Sequence, residues 1–271
     1  MARRPQGISK GAIIVIALLA VLVIAPLVVN YFRAQGEDDN APDEPKVYQT
    51  TPTRQPPSTA TAAVRSVEGS IAASRARVTP QEETFKGCPA GGDGTDPQLN
   101  VLKNRVDVPA NPGAVQFQSL VALPWPEAIN RQHMANWSSA ARAEVDRYNG
   151  QGVSVEAYFI RVQSEGPESP NCHSTTDVDF HAWIVGNQSD DRPSSVVVEF
   201  SPRTRAKHAG WTLAAFQSLA KQRGHVRITG WIMLDPEHPD QVGKTRGTIW
   251  EIHPVTKVEV DAGGGQWRTL E

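Results

Sequence analysis

Cysteine is nearly absent from this 271-residue chain: Cys88 and Cys172 are the only two. Neither sits in a Cys-x-x-Cys pair, so a thiolate metal knuckle has no local signature. No two histidines stand at the i, i+4 spacing of a helical metal site either. Excess positive charge is also missing. A net charge of -2 argues against a domain that coats nucleic acid or adheres strongly to anionic lipid. From Gln35 to about Thr84 apolar residues are scarce, and Tyr48 is the only aromatic among six prolines and many Ser, Thr, Ala and Gln. Such a stretch cannot offset its ordering entropy and is expected to stay disordered.

What is present begins at the N-terminus. Gly11 to Val29 is a run of 19 residues without a charge, about enough to cross a ~30 Å hydrocarbon core as a helix. A cleaved signal peptide would have a shorter apolar region and a small-x-small cleavage site. Here the run leads into Asn30, Tyr31, Phe32 and Arg33, which favours an uncleaved anchor. Arg3, Arg4 and Lys10 precede it, and Glu37, Asp38, Asp39, Asp43 and Glu44 follow. The basic flank puts the short N-terminus in the cytoplasm and the remainder outside. This predicts a single-pass membrane protein with an extracytoplasmic C-terminal domain. There Cys88 and Cys172 are expected to pair, closing an 84-residue loop worth about 4 kcal/mol in the chain-entropy account.

The expected organisation is a cytoplasmic N-terminus over 1–10, a transmembrane anchor over 11–32 and a spacer over 33–84. As a flexible coil of roughly 50 residues the spacer would reach ~40 Å. An N-terminal embellishment over 85–150, a β domain over 151–261 and a flexible tail over 262–271 complete it. Within the embellishment, Leu99, Leu102 and Val106 form a short apolar pattern, Ala114 to Leu123 reads as a strand, and Asn136 to about Tyr148 reads as a helix.

The β domain is clearer. Strands are expected at Val153–Val162, Asp177–Gly186, Ser195–Phe200, His225–Leu234 and Gly247–Val260. A helix over Trp211–Gln222 lies between the third and fourth and is stopped by Gly224. The fold class is mostly β with accessory helices. The order β-β-β-α-β-β is that of an OB-like five-stranded Greek-key barrel, although a swapped-strand sandwich shares the pattern.

Several polar residues occupy strand positions of opposite parity to the apolar set. In DVDFHAWIVG and its neighbours these are Asp177, Asp179 and His181; then come Glu199, and Glu251 with His253. Asp235, His238 and Arg246 lie around the loop HPDQVGKTRGT, expected to be mobile, where Arg246 could receive an anion. In an OB-like barrel the third strand lies between the second and fifth. That would bring His181, Glu199 and Glu251 or His253 together. Three readings stand open: solvent-facing ion pairs, a structural network, or a site. Imidazole with carboxylates suits a divalent metal such as zinc. Trp183, Trp231 and Trp250 fall in strands and are expected to pack, with a stacking surface for sugars or bases as the alternative.

The stretches NCHSTTDVDFHAWIVG, VVVEFSPR, VRITGWIMLDPEHPD and RGTIWEIHPVTKVEV, led by GCPAGGDGTDPQLNVLKNRVD, resemble an uncharacterised group of bacterial exported, membrane-anchored proteins. The resemblance covers about Gly87 to Val260. It implies an exported barrel domain and brings no activity with it. A remote likeness to barrel nucleases of the staphylococcal type is one of fold alone, since their active-site pattern is missing. The sequence therefore points to a binding or interaction module whose ligand is a protein, a small molecule or a saccharide, with nucleic acid disfavoured. A divalent-metal-dependent hydrolase and a purely structural envelope protein are the competing readings.

Overall fold

The structure, a computed structural model, describes residues 79–271. The anchor, the N-terminus and almost all of the spacer lie outside the described residues. Within them, no helix is long and apolar enough to cross a membrane.

The described chain is mostly sheet with few helices. Helix α1 spans Pro97–Lys103, with the Asp96 side chain accepting from Leu99 N and Pro97 fixing the first turn. Strand β1 is only Gly113–Val115, and helix α2 follows at Phe117–Val121. The expected strand over Ala114–Leu123 is therefore mostly helical: Phe117 and Leu120, three apart, are both buried on one helix face. Helix α3, Ser139–Val145, is shorter than its sequence pattern suggested. Ser138 caps it by accepting from Ala141 N.

Strands β2 (Gly152–Ser164), β3 (Phe180–Val185) and β4 (Val196–Phe200) come next, then a four-residue turn of helix α4, Pro202–Arg205. Helix α5 (Leu213–Lys221) starts from a Thr212 cap and is followed, after Gln222, by Arg223 with a positive φ of 48°, one before Gly224. Strand β5 (His225–Leu234) and the long β6 (Trp250–Gly263) complete the set. Residues 262–271, expected as a flexible tail, instead include strand β7 (Gln266–Thr269), which pairs with β6. The turn glycines Gly263, Gly264 and Gly265 all have positive φ and supply the hairpin geometry.

The seven strands form one mixed sheet in the order β1-β2-β3-β4-β6-β5. β2 also pairs with β5 along Gly152–Tyr158, so the pairings run round from β2 and return to it. β4 and β6 are parallel, while the other pairs in this circuit are antiparallel. Alternate residues on one face of these strands pack into the core: Phe180, Ala182 and Ile184 on β3, Val196, Val198 and Phe200 on β4, and Val226, Ile228, Ile232 and Leu234 on β5. Gly230 interrupts the last series, because a Cβ there would lie 2.5 Å from the Pro254 carbonyl oxygen where β5 and β6 close together.

The segment before β2 is not separate from this core. Leu99, Phe117, Leu120, Ile129, Met134 and Trp137 belong to the same hydrophobic cluster as the strand residues. Cys88 and Cys172 form a disulfide. It ties the start of the described chain to the turn preceding β3.

Candidate functional site: a buried histidine–carboxylate cluster

The outward parity of three adjacent strands assembles the cluster. His181 on β3 stands directly opposite Glu199 on β4, and Val197 on β4 opposite Glu251 on β6. Around them a continuous series of polar contacts runs across the sheet. His181 Nδ1 lies 3.1 Å from Glu165 Oε1 and 3.5 Å from Glu199 Oε1. His253 Nδ1 lies 3.3 Å from Glu199 Oε2 and 3.7 Å from Glu251 Oε2, and its Nε2 lies 3.8 Å from Asp179 Oδ2. Arg246 Nη1 donates to Glu251 Oε1 at 2.7 Å and to Asp235 Oδ2 at 2.8 Å. His238 Nδ1 meets the same Asp235 oxygen at 2.7 Å.

This flank of the sheet is not open to solvent. Relative exposure is 0% for Arg246, 1% for His253 and 2% for Asp179, Asp235 and Glu251. The cover comes from the N-terminal segment and the turn before β3. Lys103 on α1 reaches Glu237 at 3.4 Å. Asn100 donates to Gly91 O and Ser169 Oγ, and Asn104 to Ala90 O and Pro170 O. Arg203 donates to the Cys88 and Pro89 carbonyls. Asn171, next to Cys172, donates to Asp179 Oδ1 at 3.1 Å and so sets the orientation of that carboxylate.

The residues singled out by strand parity fare differently. Asp179, His181, Glu199, Glu251 and His253 lie together. Asp177 does not: β3 begins only at Phe180, and Asp177 belongs to a turn in which Ser174 Oγ accepts its N–H. Its carboxylate pairs instead with Lys86 at 2.6 Å, at the partly exposed edge. Arg246 is fully buried, and two buried carboxylates hold its Nη1, while its Nε and Nη2 have no hydrogen-bond partner among the described residues. Trp183, Trp231 and Trp250 are all buried, which removes them as a stacking surface. Trp183 stacks on His181 at 4.4 Å and packs under Arg192, also at 4.4 Å.

Burial sets the protonation states. It raises the Glu199 carboxyl well above the usual range, and the neighbouring Glu251 adds to the effect. Burial and Asp235 likewise raise Glu251, against the pull of Arg246. Asp235 moves the other way. Burial opposes its charge, but the His238 hydrogen bond and the Arg246 guanidinium hold it well below the ordinary carboxylate value. Burial depresses the His253 imidazole to about 3, which keeps it neutral. Glu168 is pushed up to about 7, mainly by burial. Burial also opposes the Lys103 charge, yet Glu237, Glu199 and Glu168 together raise its pKa well above the ordinary value.

Sequence reasoning missed Lys103, Glu165, Glu168 and Asn171. None lies in a strand at the opposite-parity positions that drew attention to the others, and Lys103 comes from a helix across the chain. Only Asn171 had a signal, as the neighbour of a cysteine expected to pair. Beside the cluster a cleft of about 490 Å³ opens, walled by Lys103, Arg131, His133, Glu168, Glu237 and His238 among others. A second cleft of about 400 Å³ lies elsewhere, between Phe117 and β2. Its charged pair, Arg227 and Glu156, is closed on itself at 2.9 Å.

Asp179, Glu199 and His253 each offer a donor atom, and the three atoms lie within 4.8 Å of one another. No protein-family model, no curated protein and no solved structure matches the chain.

Proposed function

We propose that this chain is a membrane-anchored, extracytoplasmic binding module on an OB-like barrel, taking a small polar ligand or saccharide in the cleft beside the charged cluster. The barrel reading is supported by the circuit β2-β3-β4-β6-β5, its one parallel pair, and α5 between β4 and β5 in chain order. The compartment is supported by the uncharged run Gly11–Val29 with its basic N-terminal flank. The Cys88–Cys172 bond agrees, since such bonds persist in oxidising surroundings.

The observation that carries the binding reading is the cleft itself. Its size falls in the range of small-molecule sites, and charged groups from four separate segments converge on it: Lys103, Arg131, Glu168 and His238.

The test is a thermal-shift screen of the full chain in detergent against amino acids, dicarboxylates, inorganic phosphate and simple saccharides. A ligand present at about 100 times its Kd would stabilise by roughly 2.7 kcal/mol, or some 5–10 °C. Thr95→Trp, which fills the exposed mouth of the cleft, is expected to abolish that shift. No shift with any compound, or an equal shift in Thr95→Trp, would leave the structural-envelope reading in its place.

A further inference from the structure

We infer that Asp179, Glu199 and His253 bind one divalent transition-metal ion, zinc foremost, inside the flank of the sheet. This goes beyond ligand binding in the cleft and does not depend on it.

The argument begins with His253. Its ring is buried, at 1% exposure, and neither ring nitrogen has a hydrogen-bond partner. A buried imidazole ordinarily satisfies both. Yet carboxylate oxygens flank the ring on both sides, Glu199 Oε2 and Glu251 Oε2 near Nδ1 and Asp179 Oδ2 near Nε2, all between 3.3 and 3.8 Å away. In a neutral ring one nitrogen presents a lone pair, and a lone pair facing carboxylate oxygens is repulsive unless a proton or a metal ion lies between them. The ion-pair partners of Glu199 are themselves imidazoles, His181 and His253.

The spacing is within reach of one ion: the three donor atoms lie within 4.8 Å of one another and would draw together around it. Tetrahedral coordination with ~2.1 Å bonds places neighbouring donors about 3.4 Å apart. One imidazole with two carboxylates favours a first-row divalent ion; calcium would want six or more oxygens. The surrounding contacts are those that position metal ligands. Asn171 Nδ2 donates to the Asp179 carboxylate at 3.1 Å, and His181 stands against the far side of Glu199. Arg246 engages Glu251 and Asp235, which leaves Asp179 and Glu199 as the carboxylates available to the ion.

The experiment is elemental analysis of the full-length protein, purified in detergent without a histidine tag and dialysed against metal-free buffer. It is repeated on Asp179→Asn and Glu199→Gln, two near-isosteric changes, with Glu156→Gln as a distant control. The wild type and the control are expected to carry about one equivalent of zinc, manganese or another transition metal. Each site variant is expected to lose ~10-fold or more, with its circular dichroism unchanged. Should a variant fail to fold, chelator-treated wild type decides: added Zn²⁺ or Mn²⁺ must raise its melting temperature. Background metal in the wild type with no such rise overturns the proposal, as does a full equivalent retained in both variants. Thr95→Trp is expected to keep the metal, so the cleft and the metal site succeed or fail separately.

Discussion

Arg246 provides the sharpest test of the cluster as a charged network. Its side chain is fully buried, and one terminal nitrogen bridges Asp235 at 2.8 Å and Glu251 at 2.7 Å, both carboxylates being only 2% exposed. Replacing Arg246 with Met keeps much of the volume but leaves buried Glu251 without its cation and Asp235 with His238 alone. Breaking a buried ion pair from one side costs about 3–5 kcal/mol, because the partner charge stays buried and uncompensated. For a folded part of this size, that is a fall in melting temperature of roughly 6–20 °C. The cost has a pH signature. Without the guanidinium Glu251, already raised by burial and Asp235, ionises only at elevated pH in the folded state, so a proton can take the place of the guanidinium in acid. The deficit of Arg246→Met relative to wild type should be small near pH 4–5 and grow as pH rises. Neutralising the acids as well, in Arg246→Met with Asp235→Asn and Glu251→Gln, should recover part of the loss, and the cycle measures the coupling. Urea and thermal unfolding at pH 5 and pH 8 are the assays. A cost below about 1 kcal/mol at pH 8 would show that the network is not a buried charge system and would refute the reasoning.

Two further outcomes follow from single contacts. Reducing the Cys88–Cys172 bond frees a loop of 84 residues, and melts with and without reductant should differ by about 4 kcal/mol in stability; an unchanged melt would mean that the unfolded chain is not constrained by this link. For His238, burial opposes the charge but the Asp235 hydrogen bond and carboxylate raise its pKa, while Asp235 is lowered, against burial, by the same hydrogen bond and Arg246. The His238 contribution is therefore full below its unfolded pKa and fades as pH rises through the raised folded value. That of Asp235 is full above its unfolded pKa and fades as pH falls toward the lowered one. The pair should support the fold best between about pH 4 and 6.5, so the melting-temperature gap between wild type and His238→Ala should narrow toward pH 9. A gap that widens there would reverse the assignment of charge.

The strands were the legible part of this fold. A period of two shows directly in FHAWIV and VVVEF, because one face of each is packed and the other carries its polar residues. His225–Leu234 reads off the sequence to the residue. The same parity places His181, Glu199, Glu251 and His253 on one flank once β3, β4 and β6 are neighbours. Where local pattern competes with tertiary packing the reading breaks down. Ala114–Leu123 has β-like composition, yet its Phe117 and Leu120 meet the core from a helix. The tail holds little apolar material, and it becomes a strand because β4 pairs with β6 only as far as Ile252, which leaves that edge of β6 for β7.

What no local pattern could reveal is that the polar flank lies under a roof. A solvent-facing row of ion pairs and a buried charged site have the same strand signature, and the difference rests on contacts far apart in sequence. Lys103 meets Glu237 across 134 residues, and Arg203 meets Cys88 across 115. These are single contacts with no period, and they decide the chemistry. Exposed, His253 and its carboxylates would be screened by water and worth little. Covered, each charge must find a partner, and the neutral His253 ring is left with both nitrogens unmatched. The disulfide belongs to the same account. It joins the roof at Cys88 to Cys172, whose neighbour Asn171 orients Asp179. The one covalent link between distant parts of the described chain thus sits one residue from the group that fixes a carboxylate of the cluster. In this protein the disulfide, the folded roof and the chemistry of the site are a single structural arrangement.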